Sequence, residues 1–321
     1  MNVYDDSRAA VRDALRLSRA MTYKAACAGL PLGGGKGVIV LRPAEAPLSA
    51  DRRRAVLLDF GDTVESLGGA YLTAEDVGTS EPDMEAIAER TRFVTGLSEA
   101  RGGSGDPSPS TAIGCEAAAR VACERALGSA DLAGRRVAVL GLGHVGGRLA
   151  ELFAAGGAQM VVSDVDPAKR VIAERLGAEW AEPEAALRAE VDLLAPCALG
   201  GIFTHASVPE LRCRAIAGAA NNQLASDEIA PLLAERGILW APDFVCNAGG
   251  IINIAVELEP EGYSRQRADA RVRAIGDTLR AIFDAAEAEG VTPLQAALHL
   301  ARARITEAAP PRAASADARV A

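Results

Sequence analysis

Residues 135–166 read RRVAVLGLGHVGGRLAELFAAGGAQMVVSDVD, and this stretch decides the fold. The apolar run VAVL predicts a buried strand, and the residues after the glycines predict a helix followed by a second strand. Gly141, Gly143 and Gly146 form the pattern G-x-G-x-x-G, and Asp164 ends the second strand. A glycine pattern between a strand and a helix, with an acid after the next strand, indicates a dinucleotide-binding βαβ unit.

Each part of this pattern has a chemical reason. The glycines allow the tight turn, and the start of the helix, at His144 and Val145, faces the pyrophosphate. Asp164 would hydrogen-bond the adenosine ribose hydroxyls, and its charge would repel a 2′-phosphate, so the predicted cofactor is NAD and not NADP. The alternative interpretation is an ordinary βαβ turn with an exposed aspartate.

The alternation of elements continues beyond this unit. Helices are predicted at 168–176 and 227–236, and strands at 191–195, 214–219 and 238–240. Strands that alternate with helices indicate a parallel sheet with right-handed crossovers. One long helix is then predicted over 264–289 and a last one over 293–308, followed by a frayed tail at 310–321.

The first third of the chain has a different pattern. Helices are predicted at 8–20, 50–67, 82–93 and 112–127, with strands at 37–41 and from 71. A Gly/Pro/Ser-rich break at 100–111 marks a domain boundary. The prediction is therefore an α/β protein of two domains with a cleft between them. Residues 1–111 form a catalytic domain, 112–284 form a Rossmann domain, and helices from about 285 to 321 pack back on the first domain.

A second informative stretch, MTYKAACAGLPLGGGKG at 21–37, is predicted to form a glycine-rich hairpin framed by Lys24 and Lys36. Its glycines, Gly34 and Gly35 among them, let backbone amides approach a small carboxylate closely. Lysine shifts its pKa readily when it is desolvated, so either lysine could also act as an acid or base. The alternative is a flexible tip with a solvated lysine. The stretch is not a Walker P-loop, because Gly37 follows Lys36 where Ser or Thr is required.

Composition excludes several classes of function. The 321 residues include 34 basic and 43 acidic ones, a net charge of −9, which argues against nucleic acid or an anionic membrane as partner. The sequence contains neither a membrane-spanning apolar run nor a signal peptide. Six cysteines without a C-x-x-C pair predict reduced thiols in a cytoplasmic protein. Three scattered histidines give no reason to expect a metal site.

Seven blocks of the sequence resemble the glutamate/leucine/phenylalanine/valine family of amino-acid dehydrogenases, in the family's order and at similar spacing. The resemblance is greatest to leucine and valine dehydrogenases. It covers nearly the whole chain and implies a homo-oligomer. The blocks are MTYKAACAGLPLGGGKG, YLTAEDVGT, GGSGDPSPSTAIG, GLGHVGG, APCALGG, IAGAANNQL and APDFVCNAGGIINI.

The resemblance implies a role for individual residues. Lys24 would bind the substrate carboxylate, with help from the backbone of Gly34 and Gly35. Lys36 would be the catalytic lysine, and Asp76 would exchange a proton with the substrate amine. Further residues would hold the nicotinamide end of the cofactor: Thr111 and Asn222, which also hold the substrate, and Cys197, Ala198 and Leu199 along the ribose. Asp76 and Asn222 also have ordinary interpretations, as a salt-bridge partner and a turn residue.

The implied reaction is oxidative deamination of an L-amino acid. Hydride leaves Cα for the nicotinamide, water adds to the resulting imine, and ammonia departs to leave a 2-oxo acid. A lysine in a closed cleft beside a second cation has its pKa lowered by burial and by like charge, so Lys36 is a plausible base for the water. The cofactor accepts the hydride, and the protein positions the substrate and provides the electrostatic environment of the reaction.

Three aliphatic residues occupy the positions that line the side-chain pocket in the resembled family: Ala74, Ile251 and Ile254. The pocket does not suit glutamate, because burying its second carboxylate without a cation is costly. Phenylalanine-specific relatives tend to have a smaller residue at the Ala74 position, so the expected substrate is Val, Leu or Ile. One methyl group separates these by about 1–3 kcal/mol, which leaves all three open.

One departure from the family motivates rival hypotheses. Family members begin with an additional segment that includes a Gly-Gly strand, whereas this chain starts at Met1 just before the first predicted helix. Two explanations are open. Either the start codon is assigned too late, or the protein is shortened and is expected to lack one pocket wall and one sheet edge. The rivals are an aromatic amino-acid dehydrogenase of the same family and a catalytically weak NAD-binding or assembly subunit.

Overall fold

The protein has the predicted two-domain α/β fold in a computed structural model that describes residues 1–4, 6–43, 46–76 and 78–308. The helices are α1 (Ser7–Cys27), α2 (Ala50–Ser66), α3 (Glu81–Ile87), α4 (Ser108–Leu127), α5 (His144–Ala155), α6 (Arg170–Leu176), α7 (Pro183–Leu187), α8 (Ile229–Glu235), α9 (Asp243–Cys246), α10 (Gly249–Ala255), α11 (Arg265–Arg273), α12 (Ile275–Glu289) and α13 (Pro293–Ala308). The strands are β1 (Asn2–Val3), β2 (Val40–Leu41), β3 (Arg136–Leu140), β4 (Gln159–Ser163), β5 (Glu179–Trp180), β6 (Val191–Pro196), β7 (Cys213–Ile216) and β8 (Leu239–Trp240).

The larger sheet is parallel throughout, with strand order β5-β4-β3-β6-β7-β8. Strand β3 lies at its centre, where Val137 pairs with Met160 on one side and with Leu193 on the other. Helices cover both faces of a doubly wound sheet, which is why the central strand β3 is apolar and buried from Val137 to Val139. Strands β3 and β6 are neighbours although β4 and β5 lie between them in sequence, so a ligand crevice is expected at their carboxyl ends.

The N-terminal region is built on long helices. Asp6 caps α1, since its side chain accepts a hydrogen bond from the Ala9 amide at 2.7 Å. Helices α2 and α3 pack together around a small apolar core made of Leu57, Met84, Ile87 and Val94. The two-stranded parallel sheet of β1 and β2 lies beside this core.

Helix packing joins the two ends of the described chain to each other and organises its middle around α4. Helix α13 packs on α1 and α12, and α4 packs on α5, α10, α11 and α12. Helix α4 begins at Ser108, inside the segment 100–111 that the sequence marks as a break. The division into domains at 111 and 284 stays a prediction, as does the packing of everything after residue 285 on the first domain.

The predicted hairpin at 21–37 is wrong. Helix α1 continues to Cys27, so Lys24 lies in its last turn, and an irregular segment leads from there to Lys36. The helical pattern of residues 8–20 extends through Ala25, Ala26 and Cys27, which are all buried. The glycines therefore belong to a loop that folds over the end of a helix.

Other boundaries also differ from the predictions. The strand predicted at 37–41 contains only Val40–Leu41, and the one predicted from 71 is reduced to a single bridge between Thr73 and Val94. The helix predicted at 82–93 ends at Ile87. The helix predicted over 264–289 is two helices, which meet at Ala274.

The remaining expectations have mixed outcomes. Each of the six cysteines, all among the described residues, is a free thiol, and five of them are buried. In the described part of the chain, no helix is both long and apolar enough to cross a membrane. The expected fraying at 310–321 lies outside the described residues.

Candidate active site

One cavity of about 920 Å³ opens between the N-terminal region and the parallel sheet. Its walls come from the end of α1, the glycine loop, residues 69–76 and Thr79, and the starts of α4 and α10. Ten residues predicted from the sequence line it: Lys24, Gly34, Gly35, Lys36, Ala74, Asp76, Thr111, Asn222, Ile251 and Ile254. Tertiary folding thus gathers into one cavity residues that lie up to 230 positions apart in the sequence.

Lys24 enters the cavity from the last turn of α1. Its Nζ donates a hydrogen bond to Asn221 Oδ1 at 3.2 Å, and Asn221 Oδ1 also accepts from Asn247 Nδ2 at 2.8 Å. Burial lowers the pKa of Lys24, and the negative charge of Asp243 partly opposes that effect. The ammonium group donates to one neutral acceptor, Asn221, and keeps further donors for an anionic ligand.

Lys36 approaches from the glycine loop and forms an ion pair with Asp76. The Lys36 side chain is 20% exposed. Burial is the main cause of its lowered pKa, and the positive charge of Lys24 adds to it, while Asp13 acts in the opposite direction. A lysine in these surroundings gives up its proton more readily than an exposed one, as a general base requires.

The loop that carries Asp76 is tied down at both ends. The Asp76 amide donates to Thr79 Oγ1 at 3.0 Å, and that hydroxyl donates back to the Asp76 carbonyl at 2.7 Å. Asp83 closes a capping box with Ser80 at the start of α3, and Arg53 binds both Asp83 and the Gly78 carbonyl. This support holds the Asp76 carboxylate against Lys36.

The glycine loop needs its glycines for packing as well as for ligand access. A Cβ at Gly34 would lie 2.1 Å from Thr22 Oγ1 and 2.4 Å from the Ser18 carbonyl, because the loop lies directly on α1. Ser18 Oγ also donates to the Gly34 carbonyl at 2.5 Å. The role expected from sequence, backbone exposed to a ligand, is joined by a structural one: glycine lets the loop reach the helix that carries Lys24.

Replacing Gly34 with alanine should therefore lower the thermal midpoint of unfolding and raise KM for the amino acid. Overpacking of this kind costs about 1–3 kcal/mol. Gly33→Ala is the matched control, since a Cβ there meets nothing within 4 Å. Differential scanning fluorimetry and steady-state kinetics measure both effects. Equal midpoints for the two variants would contradict the packing role.

An aliphatic wall forms another part of the cavity. Ala74 lies two residues before Asp76, and Ile251 and Ile254 project from α10. Helix α10 is held close to α4, where a Cβ at Gly250 would lie 2.9 Å from Thr111 Oγ1. The same glycine thus brings the predicted nicotinamide residue Thr111 next to the aliphatic wall.

Asn222 lies in a loop with unusual backbone geometry. It has φ of +52°, the only positive φ of a non-glycine residue in the described chain. Its carbonyl accepts from the Gly201 amide at 2.7 Å, which fastens it to the segment after Cys197. Asparagine tolerates this left-handed conformation better than most residues, and strain of this kind often occurs at functional sites.

The dinucleotide turn lies outside this cavity, at the carboxyl end of β3. Gly141 has φ of +99°, and a Cβ at Gly146 would lie 1.9 Å from the Gly141 carbonyl. A Cβ at Gly143 meets nothing within 4 Å, so the turn is open on the side where α5 begins with His144 and Val145. A closed turn with free space before a helix N-terminus fits a pyrophosphate.

Asp164 directly follows β4, beside this turn. Its carboxylate accepts from the Leu142 amide at 2.6 Å and from the Asp166 amide at 2.9 Å. These contacts place the acid next to the glycine turn, as the sequence pattern requires.

Cys197, Ala198 and Leu199 follow β6 and close the other side of the turn. The Cys197 amide donates to the Leu140 carbonyl at 2.7 Å, and Ala198 lies 2.7 Å from a Cβ built at Gly141. Cys197 is half-buried, while Leu199 is 83% exposed. Burial raises the pKa of the Cys197 thiol to about 12, so this cysteine stays neutral.

Sequence reasoning missed several residues of the site. Asn221 accepts hydrogen bonds from both Lys24 and Asn247. Asp243 lines the cavity as a buried acid, and Asp13 lies near Lys36. Asn221, Asn247 and Asp243 lie inside blocks that carried the family resemblance, which was the available signal. Asp13 lies on the predicted helix 8–20. An acidic residue there is expected on the polar face of any amphipathic helix, so nothing in the sequence linked it to the site.

Comparisons with known proteins agree with this geometry. Residues 4–93 match the family described as Glu/Leu/Phe/Val dehydrogenase, dimerisation domain, and residues 168–312 match Glutamate/Leucine/Phenylalanine/Valine dehydrogenase. Residues 117–198 match the NAD-binding domain of D-isomer specific 2-hydroxyacid dehydrogenases. The glycine turn lies inside this last match.

Similar proteins include leucine dehydrogenase of Thermoactinomyces intermedius, which is 43% identical over 95% of this chain and 82% of its own length. Valine dehydrogenase of Streptomyces coelicolor is 43% identical over 96% of this chain and 84% of its own length. The crystal structure of L-tryptophan dehydrogenase from Nostoc punctiforme is 40% identical, with a TM-score of 0.80 over 95% of this chain and 86% of that one. The chain therefore belongs to the Glu/Leu/Phe/Val dehydrogenase family and is an amino-acid dehydrogenase that uses a nicotinamide cofactor.

Proposed function

We propose that this protein catalyses the reversible, NAD-dependent oxidative deamination of a branched-chain L-amino acid to the 2-oxo acid and ammonia. The observation that carries the proposal is a single cavity in which two lysines and an aspartate share space with an aliphatic wall. The charged groups suit the amino and carboxylate groups that every amino acid has. The wall made by Ala74, Ile251 and Ile254 suits an aliphatic side chain.

Each charged residue has a defined task in this proposal. Lys24 binds the substrate carboxylate, with the backbone of Gly34 and Gly35 beside it. Neutral Lys36 takes a proton from the attacking water, and Asp76 exchanges a proton with the substrate amine. The bound nicotinamide accepts the hydride from Cα.

The dinucleotide would be held by two groups of residues. The turn from Gly141 to Gly146 would take the pyrophosphate, and Asp164 would bind the adenosine ribose, which favours NAD over NADP. Thr111, Asn222 and the segment from Cys197 to Leu199 would surround the nicotinamide end. The turn fits this group because its glycines leave no side chain in the space before α5.

An aromatic L-amino acid is the second candidate substrate. L-tryptophan dehydrogenase of Nostoc punctiforme is 44% identical over 94% of this chain and 83% of its own length. The cavity of about 920 Å³ also exceeds what a leucine side chain needs. We favour the branched-chain substrate because the β-branched side chains of Ile251 and Ile254 reduce the space beside the aliphatic wall.

A substrate panel tests the proposal. Initial rates with L-Val, L-Leu, L-Ile, L-Phe, L-Trp and L-Glu are measured at alkaline pH, with NAD and with NADP in parallel. We expect the highest kcat/KM with a branched-chain substrate and NAD. A preference for L-Glu or for NADP would contradict the assignment, and a preference for L-Trp or L-Phe would select the second candidate.

The dependence of kcat/KM on pH should be bell-shaped for oxidative deamination. The rising limb reports Lys36, which must lose its proton, and its midpoint should lie below the ordinary lysine value of 10.5. The falling limb reports Lys24, which must stay charged. Lys24→Met should move the rising limb to higher pH, because it removes the positive charge that lowers the pKa of Lys36. A rising limb unmoved in that variant would contradict the coupling.

We also propose a homo-oligomer in the cytoplasm. The match of residues 4–93 to a dimerisation domain supports an oligomer. So does the likeness to a hetero-hexameric glutamate dehydrogenase of Thermus thermophilus, at 25% identity and a TM-score of 0.78 over 94% of this chain and 79% of that one. The six free thiols support a reducing compartment.

A further inference from the structure

The proposed function, on which this inference rests, places opposite demands on two lysines in one cavity. Lys24 must keep its proton to bind a carboxylate, and Lys36 must lose its own to act as a base. Both are half-buried, and loss of hydration lowers the pKa of each. Some feature of the cavity must therefore stabilise the charged form of Lys24 more than that of Lys36.

Asp243 has the burial and the position for this. It is the first residue of α9, is 7% exposed and lines the same cavity. Its Oδ2 accepts from the Gln223 amide at 2.7 Å. The pKa of Asp243 is raised above its usual value, mainly by burial, and hydrogen bonds from the amides of Gln223, Phe244 and Asn222 and the charge of Lys24 oppose this rise. These donors stabilise the carboxylate form.

The carboxylate is also held rigidly. Gln223 is fully buried, and its side chain accepts from Trp240 Nε1 at 3.0 Å and donates to the carbonyls of Gly218 and Ala220. The amide partner of Asp243 is therefore fixed to β8 and to its own loop. A fixed acid can act on Lys24 through space without moving when substrate enters.

Apart from the cation Lys36, the other groups named around Lys24 are uncharged. Burial raises the pKa of the Cys115 thiol, and it raises that of the Cys246 thiol next to Asp243. Asn221 is an uncharged acceptor, and Lys36 is a competing cation. Asp243 is thus the negative charge whose attraction opposes the burial of Lys24.

Lys36 has a different set of neighbours. Asp76 forms its ion pair, and Asp13 on α1 faces it, bound to the Tyr4 hydroxyl at 2.7 Å and to Arg16 at 3.1 Å. Lys24 adds positive charge nearby. Asp76 is half-exposed and is assigned to the substrate amine. When substrate is bound, its carboxylate therefore interacts with the amine as well as with Lys36.

We propose that Asp243 is the buried counter-charge that keeps Lys24 protonated in the pH range where Lys36 gives up its proton. It is a positioning residue, because it acts on the substrate through Lys24. It thereby sets the separation between the two limbs of the pH profile and the upper pH limit of carboxylate binding.

Asp243→Asn tests this with little change in shape, since the asparagine carbonyl can still accept from the Gln223 amide. Only three of the 34 basic residues are lysines: Lys24, Lys36 and Lys169. A protein labelled isotopically at lysine Cε therefore gives three side-chain signals, and Lys24→Arg and Lys36→Arg assign them. The pH titration of these signals needs neither substrate nor cofactor.

We expect the Lys24 midpoint to fall by about one pH unit or more in Asp243→Asn, because a unit charge nearby is lost in a partly desolvated site. The Lys169 midpoint should stay constant, and so should all three in Asp59→Asn, a control on the exposed face of α2. An unchanged Lys24 midpoint in Asp243→Asn would overturn the proposal. Asp243→Ser, also neutral and able to accept from Gln223, makes the same test if the asparagine variant fails to fold.

Kinetics give the functional readout. In Asp243→Asn, KM for L-leucine should rise about tenfold at the alkaline end of the profile, where kcat changes less than about threefold. A purely structural role would lower activity equally at every pH and leave the Lys24 midpoint in place. If the proposed function itself were wrong, turnover would be absent in the parent protein while the lysine titration still gave an answer.

Discussion

Replacing Lys36 with alanine should lower kcat for oxidative deamination by about a hundredfold to ten-thousandfold, the usual contribution of a general base. Lys36 forms an ion pair with Asp76 in the cavity and has a lowered pKa, so no other described lysine can take its place. The loss should fall mainly on kcat, because Lys24 and the aliphatic wall still bind the amino acid. Stopped-flow and steady-state rates with L-leucine measure the effect.

The cofactor provides the control for this experiment. NAD binding, followed by fluorescence, should change less than about twofold in Lys36→Ala, since the dinucleotide turn lies outside the cavity. Lys169→Ala removes a lysine that does not line the cavity and should leave kcat unchanged. Turnover within tenfold of the parent protein in Lys36→Ala would exclude Lys36 as the base.

Replacing Gly146 with alanine should weaken NAD binding and destabilise the fold. The added Cβ would lie 1.9 Å from the Gly141 carbonyl and 2.9 Å from Cys197 Cβ, so the turn would have to open. We expect a loss of about 1–3 kcal/mol in the free energy of unfolding. Affinity for NAD should fall by more than about tenfold, because the helix N-terminus moves away from the pyrophosphate.

Gly143→Ala separates packing from ligand approach in the same turn. Its Cβ would meet no protein atom within 4 Å, so the thermal midpoint should stay unchanged. NAD affinity should still fall, because the methyl group occupies the space before α5 that the pyrophosphate needs. If Gly143→Ala bound NAD as well as the parent protein does, the pyrophosphate would not pass over this residue.

The parallel sheet and the glycine turn could be predicted well from the sequence. Buried strands such as β3 and β6 are mostly apolar, and a glycine pattern between strand and helix has few other uses. Predictions were poorer in the N-terminal region. The segment after Cys27 was interpreted as one arm of a hairpin because its glycines signal turns, although the helix before it continues to Cys27.

The short N-terminal strands show why such boundaries fail. Residues 37–41 have a strand-like composition, but only Val40 and Leu41 find a partner, at Asn2 and Val3. Strand propensity describes how well a residue fits a paired surface, and pairing depends on what tertiary structure places alongside. The break at Ala274 is of the same kind, since packing of α11 and α12 on α4 decides where one helix ends.

The sequence by itself determined the family, the nicotinamide turn and the identity of the two cavity lysines, because these depend on short patterns whose chemistry is local. Only the tertiary structure decided which groups surround each lysine. Asn221 and Asp243 lie about 200 residues after Lys24 in the chain, and folding brings Asn221 within 3.2 Å and Asp243 into the same cavity. Charge and burial act through space, so the division of work that we propose between Lys24 and Lys36 depends on the assembled cavity.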